Sequence, residues 1–233
     1  MGEVQHHRDP GLCRPSDASP RVMGVGRAGR RVGSGSAGGL EDCGVVDAVR
    51  VERIDPGRHD WSVFDCGDSA VDGWLRQDAI VADRQQGVVV QVASDGRRVV
   101  GCYRLGSFQV QARRPVRSLR TWSFDLDRMP VPALVVSCLC VDQRLQGRGL
   151  GTQLMLHALE LAAAVALAVG ARLVVGHGGT ERATGFLRRF GFRAFDTDPR
   201  WSYLPMQDVE ATISTSATPA QRITVADRPT PDR

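Results

Sequence analysis

Residues 139–155 read LCVDQRLQGRGLGTQLM, an apolar, strand-like run that breaks into glycine at 147, 149 and 151 and resumes as a helix-like run. Glycines packed so closely before a helix mark a backbone that turns where a Cβ would clash, or that approaches a ligand directly. The first N–H groups of such a helix, together with the positive end of its dipole, make an anion site. The spacing is Q-x-x-G-x-G, carried by Gln146, Gly147, Arg148, Gly149, Leu150 and Gly151. A dinucleotide fingerprint needs G-x-G-x-x-G and a P-loop needs G-x-x-x-x-G-K-[ST], and neither fits.

On either side of this loop the chain alternates strand and helix patterns. ALVVSCLCV, continuously apolar and β-branched, reads as a buried strand leading into it. After it, Leu150, Leu154, Ala158, Leu161 and Val165 mark one helical face, which Gly170 ends. ARLVVGH is the next strand, TERATGFLRRFG a short helix, and FRAF with SYLPMQDVEAT a last strand pair. Upstream, VDAVRVERI is a first strand. DCGDSAVDGWLRQDAIVADRQ carries Val71, Trp74, Leu75, Ala79 and Ala82 at helical spacing, with Asp68 or Ser69 as N-cap. GVVVQVAS and RRVVGCYRLGSFQVQ are two strands joined by Asp95-Gly96, a hairpin signal. The order β-α-β-β-β-α-β-α-β predicts an α/β fold with a mixed central sheet flanked by helices.

Residues 1–44, rich in Gly, Ser, Pro and Arg, lack a sustained apolar period and are expected to be a disordered N-terminal extension. The same holds for a C-terminal tail over 214–233, which leaves a domain at 45–213. A chain of 233 residues with 42% hydrophobic and 24% charged residues has the composition of an ordinary globular protein. No segment approaches the roughly 18 uncharged apolar residues of a membrane span, so no membrane partner is expected. MGEVQHHRDPGLCRP lacks the apolar region of a secretory signal, which predicts a cytoplasmic protein.

The net charge is +4, and all 30 basic residues are arginine. Arg97, Arg98, Arg104, Arg113, Arg114, Arg117, Arg120 and Arg128 crowd one stretch whose only acids are Asp125 and Asp127. Clustered guanidinium groups engage phosphates, or simply form a solvated face. The six cysteines show neither CxxC spacing nor a histidine partner at metal-ligand spacing, so no metal site is expected.

The Q-x-x-G-x-G loop in its strand–loop–helix setting resembles the acetyl-CoA pyrophosphate loop of the GNAT superfamily of N-acetyltransferases. GFLRRFGF resembles the segment that closes the last helix of that family. FDCGDSAVDGWLRQDA and MPVPALVVSCLCVDQRLQGRGLG resemble one branch of it, the toxins of bacterial toxin–antitoxin pairs that acetylate the amino group of aminoacyl-tRNA. Phe64, Cys66, Gly67, Val71, Asp72, Trp74 and Leu75 carry the upstream pattern, and Leu204-Pro205-Met206 suits the same branch.

The resemblance implies a GNAT fold, acetyl-CoA as co-substrate, aminoacyl-tRNA as acceptor, a ribbon-helix-helix antitoxin as partner, and a homodimer as one assembly. It also implies site roles. Leu139, Cys140 and Val141 would bind the pantetheine arm through their backbone. Gln146, Gly147, Arg148, Gly149, Leu150, Gly151 and Thr152 would cradle the pyrophosphate. Arg97, Arg98, Arg113, Arg114, Arg117, Arg120, Arg188, Arg189 and Arg193 would meet tRNA phosphates. One departure stands out: the branch places tyrosine after the phenylalanine as general acid, and this chain has Phe186-Leu187. Leu187 has no proton to give. Tyr103, Tyr203 and His177 are the candidates to fill the role, each with a packing role as the alternative. Weakened transfer, a degenerate domain that binds without turnover, and an enzyme acting on a small-molecule or protein amine all stay open.

Overall fold

The computed structural model describes residues 49–111, 130–216 and 224–225. An eight-stranded sheet in the order β6-β7-β5-β4-β3-β2-β1-β8 organises them. β1 (Arg50–Arg53) pairs antiparallel with β2 (Val89–Asp95), and β2 turns at Asp95-Gly96 into β3 (Arg98–Val110). Gly96 has φ +60°, the conformation the hairpin signal anticipates. β3 pairs antiparallel with β4 (Val131–Val141), and β4 pairs parallel with β5 (Leu173–His177). β7 (Trp201–Pro205) lies antiparallel between β5 and the short β6 (Arg193–Ala194). The sheet is mixed, as the element order predicts.

Helix α1 (Ser69–Gln77) starts where Asp68 accepts hydrogen bonds from the N–H groups of Ala70 and Val71. The helical stretch after it is not continuous: Asp78 separates α1 from α2 (Ala79–Arg84). Both cover one face of the sheet, where Phe64, Trp74, Leu75, Val90, Val92 and Cys102 form a core. The opposite face carries α3 (Leu150–Val169), α4 (Glu181–Arg189) and α5 (Met206–Ser216), packed over Tyr103, Leu134, Val136 and Val174. By length and composition alone α3 is long and apolar enough to cross a membrane. Leu154, Met155, Ala158, Leu159 and Ala162 instead bury it against the sheet.

Two elements differ from expectation at the C-terminal end. MQDVEAT, read as part of the last strand, instead begins helix α5; Val209 is buried there, and Met206 N–H donates to Arg172 O at 2.8 Å. α5 passes the boundary expected at Ile213. Beyond it, β8 (Thr224–Val225) pairs parallel with β1, inside the stretch read as a tail.

Candidate active site

The decisive irregularity is in β4. Cys102 faces Cys140 across the β3–β4 ladder and Arg104 faces Ser137, so Tyr103 alone stands opposite both Cys138 and Leu139. Cys138 has φ +49°, left-handed for a residue with a side chain. This is a β-bulge, which frees backbone groups from the ladder and bends the strand. The parallel ladder to β5 also ends here, at Val136–Gly176, while β4 continues to Val141. From the bulge onward the two central parallel strands part.

The glycine loop lies at the end of this parting strand. Asp142 accepts from Arg144 N–H and holds a short 3₁₀ turn over Gln143–Leu145. Gly147 (φ +77°) and Gly149 (φ +89°) then take left-handed conformations that a Cβ would strain. Gly151 is different: a Cβ there would touch Phe186 at 3.8 Å without clash, so its φ and its space are both ordinary. Leu150, Gly151 and Thr152 form the first turn of α3, whose N–H groups have no intrahelical acceptor. Arg148 is exposed beside them. These groups suit a pyrophosphate, and Phe186 of α4 flanks them.

A second chain segment fixes the loop. The Gln146 side-chain amide donates to Cys66 O and to Val141 O, both at 2.9 Å. Gln143 binds Asp65 twice, N–H to O at 2.8 Å and Nε2 to Oδ1 at 2.9 Å. The Gln143 amide, with Gly67 N–H, holds the Asp65 carboxyl below its usual range. Buried Asp72 of α1 accepts from Cys66 N–H at 3.0 Å, and Arg76 donates to Phe64 O at 2.6 Å. The Phe64–Gly67 strap therefore joins α1 to the loop. This joint is separated by about 80 positions in the chain and is invisible to local patterning.

Sheet faces sort the remaining candidates. Leu187 lies on the α3 side, 5% exposed, its methyls so near Gly176 that a Cβ there would come within 2.9 Å. Tyr103 shares that side but is fully buried, its hydroxyl 2.7 Å from His157 Nδ1. Burial, and next the Glu160 charge, raise the Tyr103 phenol well above its ordinary value, so it keeps its proton. Tyr203 packs its ring against Phe195 on the other side of the sheet and does not stand beside Leu187. His177 also faces that other side, half-buried against the Trp201 ring at 4.6 Å between centroids. Burial first, then the Arg200 charge, lowers its pKa, so the ring is neutral at pH 7 and able to accept a proton. The Cys102 thiol at 3.3 Å, the Cys66 thiol and burial all push the Cys140 thiol up, toward its protonated form.

On the α1–α2 side of the parting strands the structure holds a cavity of about 390 Å³, which sequence reasoning missed. Trp74, Arg104, Phe108, Val135, Ser137 and Trp201 line it. Arg104 is buried, donates to Ser137 Oγ at 2.6 Å and lies over the Trp74 ring. Phe108 stacks on Trp201 at 5.5 Å.

Among the described residues the arginines are spread over separate sites. Arg98 pairs with buried Asp142 and so supports the loop, and Arg193 pairs with Asp208. Arg189 lies over the Phe186 ring; Arg97 and Arg188 are exposed. Arg113, Arg114, Arg117 and Arg120 fall outside the described residues.

This geometry has counterparts among known proteins. The model of the acetyltransferase (GNAT) family matches residues 50–192. The chain belongs to the GNAT acetyltransferase family. Among its relatives is a tRNA-acetylating toxin of Mycobacterium tuberculosis (strain ATCC 25618 / H37Rv), 34% identical over 155 residues, which span 66% of this chain and 90% of the relative. The probable toxin TacT of Sinorhizobium fredii (strain NBRC 101917 / NGR234) is 28% identical over 171 residues, 69% of this chain and 93% of the relative. Of solved structures, AtaT complexed with acetyl-methionyl-tRNAfMet superposes with a TM-score of 0.62 at 23% identity, covering 70% of this chain and 98% of that one. At that identity the likeness is one of fold.

Proposed function

We propose that this GNAT domain transfers the acetyl group of acetyl-CoA to the α-amino group of aminoacyl-tRNA and so acts as a toxin on translation. The observation that carries this reading is the parting of β4 from β5. It sets the glycine loop, whose free helix N–H groups suit an anion, at the end of the strand whose earlier residues Val135 and Ser137 line the cavity. The M. tuberculosis relative, named for tRNA acetylation, supports the choice of acceptor.

In this reading the loop N–H groups and Arg148 hold the pyrophosphate, and the backbone of Leu139, Cys140 and Val141 aligns the pantetheine arm. A backbone N–H of the β4 segment at the bulge faces the developing oxyanion. His177, kept neutral by burial, takes the proton released from the amine. Leu187 gives none to the departing sulfur, which leaves as thiolate; proton donation there is typically worth about 10² to 10⁴ in rate. The buried Leu187 also favours a second reading, a domain that binds acetyl-CoA with little turnover. The partner expected for the first is a ribbon-helix-helix antitoxin, in the cytoplasm.

Incubation of the protein with labelled acetyl-CoA and a pool of charged tRNA, followed by mass analysis of the aminoacyl ends, tests the reading. Label on the α-amine supports it. Tight acetyl-CoA binding without transfer points to the second reading, and label only on small amines or protein overturns the tRNA acceptor.

A further inference from the structure

The cavity on the α1–α2 side carries more than a place for an amine. Its lining includes Ser137, the residue before the bulge. A group seated in it would point its attached amine toward the bulge, within the same wall that holds His177 against Trp201. Its lining is chiefly aromatic and branched: Trp74 from α1, Phe108 from β3, Val135 from β4 and Trp201 from β7. Two charged side chains line it: Asp78, which is exposed at its α1–α2 end, and the buried Arg104 guanidinium, fixed by Ser137 and the Trp74 ring.

We propose that this cavity reads the amino-acid side chain of the aminoacyl acceptor, and that it selects large uncharged side chains, aromatic or long aliphatic, over glycine, alanine, lysine and arginine. The inference rests on the aminoacyl-tRNA reading above. A cavity of about 390 Å³ lies in the size range of pockets built for whole small molecules. Glycine or alanine leaves its apolar wall facing water. Each methylene moved from water to such a wall gains about fourfold in binding, so a four-carbon side chain gains on the order of 100-fold over glycine. Aromatic side chains add edge or stacked contacts with Phe108 and Trp201, which already hold one such pair at 15° between planes. Lysine and arginine bring a cation against the buried Arg104 guanidinium, a repulsion that the exposed Asp78 carboxylate at the other end of the cavity offsets only where water screens it. Phe108 and Trp201 thus act as specificity residues and Arg104 as a filter against cationic side chains.

The test uses the full chain, acetyl-CoA and one tRNA body charged in turn with glycine, alanine, leucine, phenylalanine, aspartate and lysine, so that the nucleic acid is constant. The expected result is a kcat/KM for phenylalanyl and leucyl forms about 100-fold above glycyl, with lysyl near the glycyl level. Ser107→Trp, on an exposed cavity-lining residue, narrows the space and should shift preference toward alanine, while acetyl-CoA affinity, measured by calorimetry, stays within about twofold. Equal rates for glycyl and phenylalanyl forms overturn the inference and leave the tRNA reading standing. So does a Ser107→Trp protein that binds acetyl-CoA normally and keeps the original preference order. Failure to acetylate any of the charged forms, with acetyl-CoA bound, overturns the tRNA reading and the inference with it.

Discussion

Gln146→Ala removes the two hydrogen bonds, each 2.9 Å, by which one amide holds Cys66 O and Val141 O. A typical intramolecular hydrogen bond contributes about 1 kcal/mol net, so the loop loses about 2 kcal/mol of its preference for the bound shape. Gln146 is only partly buried and water can replace it at the two carbonyls, which places the loss at or below that figure. If that preference is spent on pre-shaping the pyrophosphate seat, affinity for acetyl-CoA falls by the fraction of loop left in the competent shape. The expected loss lies between about 5- and 30-fold in Kd, with kcat at saturating acetyl-CoA little changed. Gln146→Glu should do worse than alanine, because a carboxylate cannot donate to either carbonyl and adds a negative charge beside the pyrophosphate. The assay pairs calorimetry of acetyl-CoA binding with transfer from acetyl-pantetheine, which lacks the pyrophosphate. Acetyl-pantetheine should be used as well by the variants as by the original protein. An equal loss with both donors, or no loss with either, would refute the reasoning that Gln146 shapes the loop for pyrophosphate.

Three further outcomes follow from the site. Leu187→Tyr should raise transfer at least tenfold, within the ceiling of about 10² to 10⁴ for a general acid; its fit beside Gly176 costs about 1–3 kcal/mol of overpacking, read as a lower urea midpoint. An unchanged rate in a folded variant would show that proton donation does not limit transfer. The acid limb of the rate–pH profile should include an ionisation below the ordinary histidine value of about 6.5, because burial lowers His177 and the base form is lost as pH falls through that lowered value. His177→Gln should remove that ionisation and lower kcat/KM, and a profile identical to the original would exclude His177 as the proton acceptor. Tyr103→Phe should cost about 1 kcal/mol of stability through loss of the bond to His157 while leaving transfer intact, and a selective loss of transfer would make Tyr103 a catalytic group.

The loop, the strand before it and the helix after it were legible because their signals are local. Glycine spacing, continuous apolar runs and the Asp68 cap each act within a few residues. The β4 bulge was not legible, since Ser137-Cys138-Leu139 reads as ordinary strand and only the mismatch against β3 exposes it. Helix α5 was misread because Val209, Thr212 and Ile213 favour strands, and burial against α3 overrode that preference. The arginine cluster misled in part: Arg98 has a buried carboxylate partner in Asp142, 44 positions away, that charge counting cannot see. Phe108 and Trp201 meet across the sheet from distant strands, so the cavity they line had no signal in either stretch alone.

The Phe64–Gly67 strap has a consequence for the order of events. One end of it is bonded to the cofactor loop through Gln143 and Gln146, and the other leads through Asp72 into α1, which contributes Trp74 to the acceptor cavity. A donor that stiffens the loop therefore also stiffens a wall of the acceptor cavity. Thermodynamic reciprocity then requires the acceptor to tighten donor binding by the same factor. The two substrates should show positive cooperativity in equilibrium binding, and Asp72→Asn, which weakens the strap, should uncouple them.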